Sequence, residues 1–187
     1  MTPQPRRQVD VSVDEPFQEG LSEAWLRSAM DAALQVALPE GEPCQVGLLV
    51  TGDATVRELN RDFRGLDEVT DVLSFSASYP GEWEGESEAP DDRFGGSGVS
   101  SEARAPAFVL PPGQPIPLGE VIISYPQAQR QALERGEPAE RELALLIVHG
   151  VLHLVGHDHG EPEEAARMQS REKVALEAIF HARTITR

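Results

Sequence analysis

The segment from Pro138 to Leu154 reads PAERELALLIVHGVLHL, and we expect it to form the central helix of the fold. Its stretch LALLIV, residues 143–148, is apolar on nearly every side of a helix. A helix of this kind belongs in the interior of a domain, because none of its faces suits water. The segment therefore predicts a helix that the rest of the chain surrounds.

The other patterned segments alternate between strand and helix. Strands are predicted at residues 9–13, 45–51, 69–76 and 119–124 from alternating or continuous apolar residues. Further helices are predicted from a cap at Ser22 to before Pro39, from a cap at Asp53 with Val56, Leu59, Asn60 and Phe63 on one face, and at 126–135 and 162–182. About four strands with surrounding helices predict a single α+β domain, layered as in α/β proteins, over residues 1–187.

Residues 79–117 interrupt this pattern. They are rich in Gly, Pro, Ser and acidic residues and lack any sustained apolar period, which predicts a disordered inserted loop. At 39 residues the segment exceeds the usual length of a connection. We interpret it as a tolerated insertion, since the entropy of loop closure grows slowly with length.

The composition excludes several classes of protein. No apolar run approaches the roughly 20 residues of a membrane span, and the start MTPQPRRQVD lacks the apolar stretch of a signal peptide, so we expect a cytoplasmic protein without membrane contact. The single cysteine, Cys44, excludes an internal disulfide or a thiolate metal cluster. The formal net charge of −16 argues against strong nonspecific binding to nucleic acid.

Four of the five histidines fall within residues 149–159, in the sequence HGVLHLVGHDH. The spacing of four between His149 and His153 puts both imidazoles on one helix face, about 6 Å apart, near enough to bind one metal ion. Gly156 then ends the helix and lets the chain turn back, so that His157 or His159 supplies a third ligand. A fourth position would stay open for water.

His159 is the better third ligand, because Gly156 and two further residues allow the chain to reverse before it. Imidazole ligands with an open position favour zinc, one ion per chain, with nickel or another borderline metal as the alternative. The pattern H-x-x-x-H-x-x-G-x-x-H is that of the metzincin proteases, but Gly150 occupies the place of their catalytic glutamate. A peptidase of that kind is therefore not expected.

Three segments together resemble a known family, the YbeY endoribonucleases, also called rRNA maturation factors. They are residues 60–64 with TDVLSF at 70–75, LGEVIIS at 118–124, and the histidine segment 149–159. The resemblance covers most of the chain from Val46 to Phe180. It implies a compact α/β fold with one zinc held by His149, His153 and His159, and a catalytic Arg64 that engages the phosphate.

The resemblance also implies an activity and partners. The activity is metal-dependent endonuclease cleavage of single-stranded RNA in the 3′-end maturation of small-subunit rRNA and in ribosome quality control. The implied partners are the small ribosomal subunit and an assembly GTPase. We expect zinc to activate the attacking group while Arg64 neutralises charge on the phosphate. Whether water or the RNA 2′-hydroxyl attacks, and which group is the general base, stay open.

The chain departs from the family pattern in places. Glu120 stands where aspartate is usual, Ser76 where proline is common, and the loop 79–117 where the family has a short connection. Two alternatives remain: a metallohydrolase of a non-nucleic substrate, which the acidity would suit, and a ribosome-assembly factor whose zinc is structural.

Overall fold

The computed structural model describes residues 7–77, 114–157 and 161–181. The strands in these ranges are β1 Gln8–Val13, β2 Cys44–Thr51, β3 Val72–Ser76 and β4 Ile116–Ser124. The helices are α1 Glu15–Gln18, α2 Glu23–Ala37, α3 Asp53–Arg64, α4 Tyr125–Arg135, α5 Ala139–Leu154 and α6 Pro162–His181. They confirm the predicted α+β fold, a four-stranded sheet with surrounding helices.

The sheet has the strand order β1-β2-β4-β3. β1, β2 and β4 are parallel, whereas β3 lies antiparallel to β4 at the edge of the sheet. Val72 is opposite Ile123, and Ser76 is opposite Gly119. The start of β3 therefore lies beside the C-terminal end of β4, at the end of the sheet where the parallel strands finish.

The main core lies between one face of the sheet and helices α2, α5 and α6. Leu143, Ile147, Leu152 and Leu154 of α5 are all fully buried in it. This confirms the prediction that α5 is the central helix. Its burial follows from its sequence, since an apolar surface on every side is stabilised only when every side is covered.

The opposite face of the sheet carries α3 and a smaller core built on Val56, Leu73 and Ile122. In β3, Ser74 faces α5, whereas Leu73 and Phe75 face α3. Phe63 is 49% exposed, so its predicted place on the buried face of α3 is only partly correct. Its ring nevertheless packs edge-on against Phe75, with the ring centroids 5.1 Å apart.

The predicted starts of α3 and β3 are wrong. Gly52 is the N-cap of α3, and Asp53 is its first residue. The Asp53 carboxylate instead pairs with Arg130 of α4 at 2.9 Å. β3 begins at Val72 rather than at residue 69, because residues 65–71 run back along α3, where Asp67 accepts two hydrogen bonds from Arg57 at 2.8 and 2.9 Å.

Most of the predicted loop at residues 79–117 lies outside the described residues. Its last two residues, Ile116 and Pro117, belong to β4, so this strand is longer than the predicted 119–124. Ala182, the predicted end of the last helix, is also outside the described ranges. Within those ranges none of the helices combines the length and the apolar character that a membrane span requires.

Gly150 marks a close approach between α5 and the sheet. A Cβ at this position would lie 2.5 Å from Cγ1 of Val121 and 3.2 Å from Oγ of Ser74. Ser74 Oγ also donates a hydrogen bond to the Gly150 carbonyl at 3.1 Å, and Ser76 Oγ donates to the Leu154 carbonyl at 3.4 Å. The space that a glutamate would need at position 150 is therefore filled by β4 and β3.

We predict that Gly150→Ala destabilises the protein by about 1–2 kcal/mol. Alanine in a helix interior is ordinarily more stable than glycine by about 0.5–1 kcal/mol, but overpacking a core costs about 1–3 kcal/mol. The contact with Val121 makes the second effect larger, because the Cγ atoms of a β-branched residue cannot move away freely. Urea unfolding of wild type and variant measures the difference.

The double variant Gly150→Ala with Val121→Ala is the control for this contact. Removing the Cγ atoms of Val121 gives the new methyl group room, so the double variant should lose less stability than the sum of the two single changes. If Gly150→Ala is as stable as wild type, α5 does not pack against the sheet as closely as described.

Candidate metal centre

His149 and His153 present their rings side by side on α5. Their Nε2 atoms are 3.1 Å apart, and their ring centroids are 4.6 Å apart. Two ligand nitrogens on a tetrahedral zinc, each at about 2.0–2.1 Å from the metal, would lie about 3.3 Å from one another. This pair of donors fits the zinc ion that the sequence implies.

The other ring nitrogen of His149 points at Glu172 of α6. His149 Nδ1 lies 2.8 Å from Oε1 of Glu172, and the two side chains are 28% and 15% exposed. Since a carboxylate only accepts hydrogen bonds, the proton of a neutral His149 ring resides on Nδ1. Nε2 then keeps its lone pair on the side of His153.

α5 ends in a glycine-dependent turn, as the sequence predicts. Gly156 has φ +89°, a conformation that a residue with a Cβ resists. The backbone N–H of Gly156 donates to the His153 carbonyl at 3.1 Å, and that of His157 donates to the Leu152 carbonyl at 3.1 Å. These two bonds form a Schellman motif, which closes the helix and turns the chain.

His157 follows this turn and is buried against α6. It is 6% exposed, and Nη1 of Arg171 contacts both nitrogens of its ring. The next two positions, Asp158 and the predicted third ligand His159, lie outside the described residues. The described part of the chain thus contains two of the three predicted ligands, His149 and His153.

A cavity of about 280 Å³ opens beside His149. Its lining includes Asp71, Glu142 and Glu172 together with apolar side chains of α5 and α6. Glu142, whose side chain is 4% exposed, is paired with Arg135 at 2.6 Å. Arg135 lines the cavity as well, and the opening leaves His149 accessible from this side.

Arg64, the predicted catalytic residue, is the last residue of α3 and is exposed. Within the described ranges its guanidinium forms no hydrogen bond or ion pair, and it does not line the cavity beside His149. α3 and α5 pack on opposite faces of the sheet but end near the same end of β3. Phe63 contacts Phe75 there, and Leu154 accepts a hydrogen bond from the adjacent Ser76.

Sequence reasoning missed Asp71, Arg171 and Glu172, which border or support the histidines. A detectable sign existed for Glu172: it lies four residues after Met168 and three before Ala175, both of which are buried. A carboxylate within an apolar stripe is costly unless it is paired, and so it indicates a partner. Asp71 and Arg171 stand out by no such pattern.

Cys44 is excluded from the chemistry of this site. Its side chain is fully buried in the main core, and burial raises the pKa of the thiol. At neutral pH the thiol is protonated, whereas a metal ligand or a nucleophile must be a thiolate. The structure therefore agrees with the sequence that any metal must be held by histidine or carboxylate groups.

The solved structure of TM1509 from Thermotoga maritima, determined in solution, is similar to this chain in fold. The TM-score is 0.55 with 21% sequence identity, and the match covers 95% of this chain and 92% of that one. At this identity the likeness concerns the fold alone.

Sequence comparison gives closer relatives. A protein of Roseiflexus sp. (strain RS-1), Endoribonuclease YbeY, is 39% identical over 174 residues, which are 92% of this chain and 93% of that protein. The protein of the same name from Dehalococcoides mccartyi (strain ATCC BAA-2100 / JCM 16839 / KCTC 5957 / BAV1) is 40% identical over 92% of this chain and 96% of its own length. That from Brevibacillus brevis is 41% identical over 88% of this chain and 91% of its own length.

The family model described as Endoribonuclease YbeY matches residues 8–179, from β1 to the last turn of α6. This match includes α3 with Arg64 and the whole histidine segment. With a match of this length and relatives near 40% identity, this chain belongs to the YbeY family of endoribonucleases.

Proposed function

We propose that this chain is a zinc-dependent endoribonuclease that cleaves single-stranded RNA in the cytoplasm. Its proposed roles are the 3′-end maturation of small-subunit rRNA and ribosome quality control. The observation that carries the metal part of the proposal is the 3.1 Å separation of the Nε2 atoms of His149 and His153 on one face of α5. Membership of an endoribonuclease family supports the RNA part.

The proposed ligands are His149, His153 and His159, the last of these from the sequence motif. Three imidazoles leave one coordination position for a substrate or a water molecule. A zinc ion so held would act as a Lewis acid that makes the attacking group, water or the RNA 2′-hydroxyl, more acidic at neutral pH. The three proposed ligands are imidazole nitrogens, which also leaves nickel as an alternative metal.

Arg64 is the proposed phosphate-binding residue. It is exposed, and its guanidinium has no ion-pair partner among the described residues, so it can bind a phosphate without first breaking a salt bridge. Its charge would neutralise the negative charge that grows on the nonbridging oxygens as the phosphodiester is attacked. Its planar fork also matches phosphate geometry.

The proposed partners are the small ribosomal subunit and an assembly GTPase. With a net charge of −16 the chain should bind free RNA weakly, because few phosphate contacts can be formed by so acidic a surface. A ribosomal particle that presents the RNA would compensate for this weak affinity. We therefore place the substrate within a ribosomal precursor.

A catalytic metal suits this site better than a purely structural one. The His149 side chain keeps 28% of its surface exposed and borders a cavity of about 280 Å³. Structural zinc sites are closed by four protein ligands, whereas catalytic sites keep an open position. The exposure of His149 thus supports access by a substrate.

We predict that His153→Ala loses bound zinc. Removing one of three imidazoles leaves too few donors for tight binding, so elemental analysis should find about one zinc per wild-type chain and far less in the variant. His181→Ala is the matched control, because His181 is exposed at the end of α6 and contacts the carbonyl of Glu177 in the same helix. Full zinc content in His153→Ala would contradict the proposed ligand set.

We predict that Arg64→Ala lowers kcat on single-stranded RNA by about 10²–10³-fold while the zinc content is unchanged. The loss follows from removing one charge that stabilises the transition state. The matched control is Arg61→Ala, since Arg61 lies one turn earlier on α3 and is paired with Asp62 at 2.9 Å. A cleavage assay with a defined RNA measures both variants.

The same assay decides between the nuclease and a hydrolase of another substrate. The proposal requires that wild type cleaves rRNA and leaves casein intact. Cleaved casein with intact RNA would refute the nuclease. Full RNA cleavage by Arg64→Ala would remove Arg64 from the catalytic machinery.

A further inference from the structure

Glu172 occupies an unexpected place on α6. The helix buries Met168, Ala175 and Ile179 against the main core, and Glu172 lies on the same face, between Met168 and Ala175. Its side chain is only 15% exposed. Holding a carboxylate in such a position is unfavourable unless it gains a hydrogen-bonding partner.

The partner of Glu172 is His149. The 2.8 Å contact joins Oε1 of Glu172 to Nδ1 of His149, across 23 residues of sequence. With the proton on Nδ1, the lone pair of Nε2 faces Nε2 of His153 at 3.1 Å. One carboxylate thus selects the tautomer and sets the ring orientation.

The two other acidic residues of the cavity are engaged elsewhere. Asp71 accepts hydrogen bonds from the Val72 backbone at 2.8 Å and from Gln131 at 3.0 Å. Glu142 accepts two from Arg135, at 2.6 and 2.7 Å. Of the three acidic residues in the described lining of the cavity, Glu172 is therefore the one that accepts a hydrogen bond from the His149 ring.

We propose that Glu172 is a positioning residue of the metal centre. It holds His149 as the Nδ1–H tautomer and turns Nε2 toward the ion through a hydrogen bond to its carboxylate. This inference rests on the zinc site of the proposed function. It assigns to α6 a part in metal binding beyond packing against α5.

The test is the zinc affinity of three variants, measured by competition with a chromophoric chelator. Glu172→Ala should bind zinc about 10–100-fold more weakly than wild type. Glu172→Gln should fall between the two, because the amide oxygen still accepts from Nδ1–H but carries no charge. Glu177→Gln, at an exposed position of the same helix, makes the same change of charge and should match wild type.

A second measurement separates positioning from folding. Nitrogen-15 shifts of the imidazoles in the zinc-free protein, with the rings neutral, should report the Nδ1–H tautomer of His149 in wild type and a mixture of tautomers in Glu172→Ala. Circular dichroism and thermal unfolding of the zinc-free variants show whether α6 still packs. A purely structural role would weaken packing and leave the tautomer unchanged.

The outcomes are distinct. If wild type and Glu172→Ala bind zinc equally well, the inference is overturned while the zinc site stands. If wild type binds no zinc, the metal part of the proposed function is refuted and the inference with it. A mixture of His149 tautomers in the wild-type zinc-free protein would also overturn the positioning role.

Discussion

The close contact between α5 and the sheet at Gly150 is the constraint on which the described site depends. Val121 and Ser74 fill the space where a side chain would begin, and Ser74 donates to the Gly150 carbonyl. Because interiors are close-packed, a helix held this way has little freedom to shift or rotate. His149, the residue before Gly150, is therefore also held in place.

The two histidines of α5 depend on neighbouring parts of the chain for their orientation and for any third ligand. α6 brings Glu172 to Nδ1 of His149, and the turn at Gly156 redirects the chain after His153. The edge strand β3 relates this centre to α3, whose end packs near Phe75 on the other face of the sheet. The arrangement places the His149–His153 pair and the exposed Arg64 near one end of the same strand.

The predictions that held are those governed by local patterns. The apolar run of α5 and the Ser22 cap of α2 need only neighbours in sequence, and the structure confirms both. The predictions that were wrong concern residues whose partners lie in other elements of the chain. Asp53 is the first residue of α3 and pairs with Arg130 of α4, and the segment before β3 contacts α3 through Asp67 and Arg57.

Local patterns were enough to predict that α5 is central, that His149 and His153 share a face, and that Gly156 turns the chain, because helical periodicity and glycine conformations depend on neighbouring residues. The contact of Glu172 with His149 and the lack of room for a glutamate at position 150 arise from the packing of distant segments. These contacts join residues 23 or more positions apart, and their geometry depends on how the helices pack on the sheet.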